Sequence, residues 1–130
     1  MLAIELTRRR GLDGHLTIRW PGQPPVVIED ELWHQLIHLT RALAELRAGR
    51  GAAIPYASMP GGYQLAVDGD DVVIAGDHVA TCRLPRAAFA SALLAAADRW
   101  STEAIAAASA DERGVAPLVV DAVALARAVG

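Results

Sequence analysis

Three apolar runs, YQLAV (63–67), VVIA (72–75) and HVATCRL (78–84), are separated only by DGDD and by GD. Connections this short constrain the fold more than anything else in the chain. A strand that returns parallel needs a crossover of about a dozen residues or more, whereas a few Gly and Asp residues turn a chain straight back. The stretch therefore predicts an antiparallel meander. Upstream, LAIELT (2–7) alternates Leu2, Ile4 and Leu6 against Ala3, Glu5 and Thr7. HLTIRW (15–20) sets Leu16, Ile18 and Trp20 on one face before Pro21, and RRRGLDG lies between the two runs as a turn. A period of two marks a half-buried strand, so this pair reads as a hairpin.

After the loop PGQPP and a short apolar bridge, VVI, the periodicity changes to that of a helix beginning at Asp30 or Glu31. Acids at that point suit the positive end of the helix dipole, and Gly49 stops the helix just beyond Arg47. Pro85 opens a second helix over 86–100, with Phe89, Leu93, Ala96 and Trp100 as its buried stripe. TEAIAAASADER (102–113) reads as helical up to Gly114, and PLVVDAVALARAV (117–129) as a final helix, although VAPLVV also suits the start of a strand. GRGAAIPYASMPGG (49–62) is the longest irregular stretch and is expected to be a mobile loop. The order is ββ-α-βββ-α-α. It predicts an α+β fold with an antiparallel sheet of about five strands and the 30–48 and 86–100 helices on one face. Residues 1–130 read as a single domain ending in a helical segment of about 102–129. The surplus apolar surface of that segment would cover the other sheet face or form a homodimer.

Composition excludes several functions. A chain of 130 residues buries enough surface to fold without a metal or disulfide, and the one cysteine, Cys82, rules out an internal disulfide framework. All twelve basic residues are arginine, with lysine and asparagine absent, which reads as the bias of a GC-rich genome. A net charge of −3 argues against nucleic acid as a partner. The central α-βββ-α order matches that of a double-stranded-RNA-binding module. However, LPRAAFASA offers one arginine where such a module needs several cations, so RNA binding is rejected. No apolar run approaches the roughly 20 residues of a membrane span, and MLAIELTRRRG carries its charges in the reverse order of a signal peptide. The expected setting is cytoplasmic, with no membrane partner and no cofactor.

The densest chemistry lies in EDELWHQLIH (29–38). On a helical wheel Leu32, Leu36, Leu39, Leu43 and Leu46 share one side, widened by Trp33 and Ile37. Glu31, His34, Gln35, His38, Arg41 and Glu45 fill the other, so the two histidines point away from the core. Imidazoles four apart can share one metal ion, with Glu31 as a carboxylate ligand. Glu31-x-x-His34 also has the spacing of carboxylate-bridged metal helices, but matching acids on further helices are not identifiable. A metalloprotease helix would carry glutamate where Gln35 stands. The other readings of this face are a solvated surface and a partner-binding surface.

Elsewhere, Cys82 reads as a packed strand residue, and Asp68, Asp70, Asp71 and Asp77 as turn residues. The arginines of RRR (8–10) read as a solvated turn, and Trp20, Trp33 and Trp100 as core or rim. Tyr56, Ser58 and Tyr63 flank the Gly/Pro-rich loop, which reads as an ordinary long connection, with closure over a ligand as the alternative. There is no Gly-x-Ser-x-Gly elbow and no phosphate-binding glycine loop, and a chain without lysine forms no Schiff base.

The catalytic residues are therefore unknown, and the leading expectation is a small non-enzymatic interaction domain. It would bind a protein or peptide partner through the Glu31, His34, His38, Arg41 and Glu45 face or through a sheet edge. An immunity-type protein that inhibits a toxin partner is one concrete form. The first alternative is a small enzyme or biosynthetic accessory enzyme acting on a peptide or metabolite, with a pocket between the sheet and the 49–62 loop and a histidine (His34 or His38) or an acid (Asp or Glu) as general base. The second is a metal-binding module built on Glu31, His34 and His38.

Overall fold

The computed structural model describes residues 1–10, 13–106 and 116–129. Within them the chain forms seven strands and three helices: β1 (Ala3–Arg10), β2 (Asp13–Arg19), β3 (Val26–Glu31), α1 (Leu32–Arg47), β4 (Ala52–Pro55), β5 (Gly62–Asp68), β6 (Asp71–Gly76), β7 (Val79–Pro85), α2 (Arg86–Ala106) and α3 (Ala116–Val129). The class is α+β, as expected. The strands form two antiparallel sheets, ordered β1-β2-β3 and β4-β5-β6-β7, where one sheet of about five was expected.

Both extra strands lie in stretches whose pattern was too weak to read. The VVI taken as a bridge continues through EDE as β3, with Leu16 opposite Ile28 in the ladder to β2. Its period of two holds to the end, but the inward position after Val26 and Ile28 is Asp30, a charge where the pattern calls for an apolar residue. β4 is only four residues long and lies inside the stretch expected to be an irregular loop. It pairs with β5, Ile54 facing Tyr63. β3 then runs beside β7 without joining its ladder, which brings the two sheets together.

α1 starts at Leu32, two residues later than Asp30, because 30 and 31 finish β3. Glu31 at its N-cap is extended and makes no side-chain cap, and no acid stands in the first turn. The expected dipole role of the acids is therefore not realised. α2 does not stop at residue 100 but continues to Ala106; the rest of the helix expected over 102–113 lies outside the described residues. Helix, not strand, opens the C-terminal segment, from Ala116.

α1 packs on β2, β3 and β4, while α2 packs on β1, β6 and β7. Their stripes meet the inward residues of both sheets in one apolar core, with Leu16, Leu36, Leu43, Val72, Ile74 and Leu93 among its fully buried members. α3 does not cover the outer sheet face. It lies across α1 and α2, burying Val119, Ala122, Val123 and Ala126, while the Arg47 guanidinium donates to the Ala126 carbonyl. Among the described residues, no helix is long and apolar enough to cross a membrane.

Candidate functional site

The outward side of α1 is less open than the helical wheel implies. Gln35, assigned to the polar half, is fully buried. His34 is half-buried against β4, and its Nε2–H donates to the Pro55 carbonyl at 2.8 Å. The His38 ring lies 4.4 Å from that of His34. Burial first, then the charges of His34 and Arg41, push the His38 pKa down, so at neutral pH this ring is uncharged. Glu45 is tied to Arg50 at 2.7 Å. Arg41 stands exposed, and Glu31 is half-buried at the end of the β2–β3 ladder, paired with Asp13. Among the described residues, no three His, Cys, Asp or Glu side chains gather where they could hold a metal ion. Glu31, His34 and His38 thus do not form the metal trio considered from their spacing.

The residue that organises this region is Asp30, which sequence reasoning treated only as a helix-start acid. It is 3% exposed. Oδ1 accepts from the Ser58 hydroxyl (2.6 Å) and the Ser58 N–H (2.9 Å); Oδ2 accepts from the Ala57 N–H (2.9 Å) and from Gln35 Nε2 (2.8 Å). Burial alone would raise this carboxyl, but the donors from Ser58, Ala57 and Gln35 outweigh it and hold the pKa below its ordinary value. Gln35 Oε1 accepts from the Tyr63 hydroxyl at 2.6 Å. Burial, then Tyr56 and Asp30, push that phenol well up, so it stays protonated and donates. The chain Tyr63–Gln35–Asp30 therefore runs one way, from a hydroxyl that donates to a carboxylate that accepts.

This chain anchors the turn that follows β4. Tyr56 N–H donates to the Gly61 carbonyl, the Tyr56 hydroxyl donates to the Asp77 carbonyl, and Asp77 Oδ2 accepts from the Gly62 N–H. Tyr56, Ser58 and Tyr63, which flank the stretch read as an ordinary long connection, hold that turn in place. Beside it lies a cavity of about 290 Å³ lined by Val27, Glu29, Tyr56, Met59 and His78. His78 is the one non-glycine among the described residues with positive φ, at 58°. Its backbone strain is modest, since histidine tolerates this region better than most residues.

The remaining polar residues act locally. Asp68 and Asp71 clamp Arg83, at 2.7 and 3.3 Å. Cys82 is buried, and burial pushes its thiol pKa up, so it is a poor nucleophile. Trp33 is core, whereas Trp20 and Trp100 are half-buried.

A mainly apolar concavity lies elsewhere. β1 is an edge strand, paired on one side with β2. α2 packs against β1, and its small side chains Ala88, Ser91, Ala92 and Ala95 line a concavity together with Leu2 and Ile4. Small residues on a helix leave space beside a strand, here a crevice of about 480 Å³ with Trp20 on its rim. Arg99 crosses its end and donates to the Ile4 carbonyl at 3.4 Å. Beyond Arg99 a second cavity of about 230 Å³ continues along β1, lined by Glu5, Leu6, Ala96 and Trp100. The Arg8 guanidinium lies 5.3 Å over the Trp100 ring.

No protein-family model, curated protein or solved structure matches this chain.

Proposed function

We propose that this chain is a protein-interaction domain that captures an extended segment of a partner protein on the open edge of β1. The observation that carries this reading is the pairing of a long unpaired edge with an apolar crevice beside it. Edge strands invite strand addition, and most are protected by shortness, proline, charge or a covering helix. α2 neighbours β1, with the crevice between them, and Arg99 engages the Ile4 carbonyl. The β4 edge is four residues long and ends in Pro55. β1 is eight residues long, and its arginines guard only the hairpin end. In strand addition, main-chain hydrogen bonds supply affinity and pockets for alternate side chains supply specificity. The edge and the crevice offer both. An immunity-type or accessory binding protein is one concrete form of this reading, and a second copy pairing edge to edge is another. A cytoplasmic setting suits its lone, buried thiol.

The test is affinity capture from the host's lysate with the parent chain, with Ala92→Trp and Ala95→Trp, which fill the crevice, and with a Glu31→Arg/Glu45→Arg variant of the α1 face. The expected result is a partner whose capture falls about tenfold or more in both crevice variants, as filling a hot-spot pocket does. It should persist in the α1 variant, with melting temperatures unchanged throughout. Loss in the α1 variant alone would transfer the site to Glu31, His34, His38, Arg41 and Glu45.

A second reading, small-molecule binding or acid–base catalysis, is favoured by the cavity that joins Glu29 and His78 between β3 and the 56–61 turn. Its histidine is His78, not His34 or His38. A thermal-shift screen against small metabolites should then find a stabilising compound whose effect disappears in His78→Ala. A screen with no such compound removes this reading.

A further inference from the structure

We infer that the segment bound along β1 carries an acidic side chain two residues from an apolar one; this rests on the strand-addition reading above. The crevice and the second cavity follow one another along β1, the first beside Leu2 and Ile4 and the second beside Glu5 and Leu6, with Arg99 lining both. Side chains on one face of an added strand recur every second residue, about 6.8 Å apart. An extended segment running along both cavities can therefore set one side chain in the first and its next same-face side chain in the second.

The two cavities differ in chemistry. The first is walled almost wholly by apolar atoms of Leu2, Ile4, Ala88, Ala92 and Ala95, and it suits an aliphatic or aromatic side chain. The second has one cation, Arg99, in its lining. Among the described residues, Arg99 is exposed and has no carboxylate within ion-pair distance; its one hydrogen bond is the long contact to Ile4. Arg8 is already engaged with the Trp100 ring. The Trp100 indole, which also lines this cavity, carries a buried N–H with no acceptor among the described residues. Glu5 is the one acid lining this cavity, and Arg19 answers it at 3.4 Å. A carboxylate on the partner supplies the anion that Arg99 lacks, and planar guanidinium–carboxylate pairing favours it over a neutral amide.

The experiment is selection of a random dodecapeptide display library on the parent protein, with binders rescreened on Ala95→Trp, Arg99→Gln and Arg99→Glu. Binders lost on Ala95→Trp occupy the crevice. Among these, Asp or Glu two positions from an apolar anchor is expected at about fivefold its library frequency, the size of a partly exposed charge pair. The preference should vanish on Arg99→Gln and turn to Arg or Lys on Arg99→Glu. Crevice binders with no acidic preference, or with a preference indifferent to Arg99, overturn this inference while leaving strand addition standing. If no binder is sensitive to Ala95→Trp, both fall together.

Discussion

Replacing Asp30 with alanine is expected to cost about 2 to 4 kcal/mol of folding stability, the loss of several hydrogen bonds to one charged acceptor. The carboxylate accepts from Gln35, the Ala57 and Ser58 N–H groups and the Ser58 hydroxyl. Alanine leaves the buried Gln35 amide without its acceptor and frees the Ala57 and Ser58 donors of the exposed turn. Asparagine keeps the shape but turns an NH₂ group toward N–H donors, so it should recover little. Urea denaturation at pH 7 gives the comparison, and a loss below about 1 kcal/mol would show that this anchor is not coupled to folding.

The pH dependence follows from the same contacts. The folded pKa of Asp30 is held below its ordinary value, while in the unfolded chain it is about 3.9. A depressed carboxyl stabilises the fold fully above its unfolded pKa, and this contribution is lost as pH falls through the folded value. The gap in stability between the parent and Asp30→Ala should therefore be constant from about pH 5 to 7 and narrow below about pH 4. A gap that widened with acid would reverse the assignment.

Trp33→Ala should be comparably severe, at about 3 to 5 kcal/mol, the usual range for deleting a large buried aromatic side chain. Trp33 is 1% exposed and lies between the core of α1 and the Trp100 ring, whose centroid is 5.9 Å away at 60°. Trp100 in turn lines the cavity beyond Arg99. Loss of Trp33 removes a wall from behind Trp100, so the indole environment should change along with stability. Chemical denaturation and tryptophan fluorescence report the two effects. A loss under about 1 kcal/mol with unshifted Trp100 emission would show that the two rings are not packed as described.

How much of this was legible depended on how plainly each residue showed its environment. The β5–β6–β7 meander was legible because Leu65, Val72, Ile74, Cys82 and Leu84 alternate cleanly and the turns between them are too short for any other connection. β3 was not, because the inward position at its end is a carboxylate, and nothing local announces the Ala57 and Ser58 N–H groups that make burial tolerable. Gln35 was placed on the wet side of α1 for the same reason. Its environment is set by Asp30 and by Tyr63, 28 positions away. The alanines at 88, 92 and 95 were visible as small residues. Only the passage of α2 beside an unpaired strand makes them the wall of a crevice.

Local chemistry by itself determined the α+β class, the helix over the leucine stripe, the meander and the absence of a disulfide framework. These follow from side-chain period and turn length, which act over a few neighbouring residues. Tertiary structure alone decided that the strands divide into two sheets, that β1 is left with an open edge, that α3 covers α1 and α2, and that Asp30 is a buried acceptor. Each of those depends on which distant groups meet. A hydrogen bond or an empty crevice is a property of two segments at once, and neither segment carries the sign of it alone.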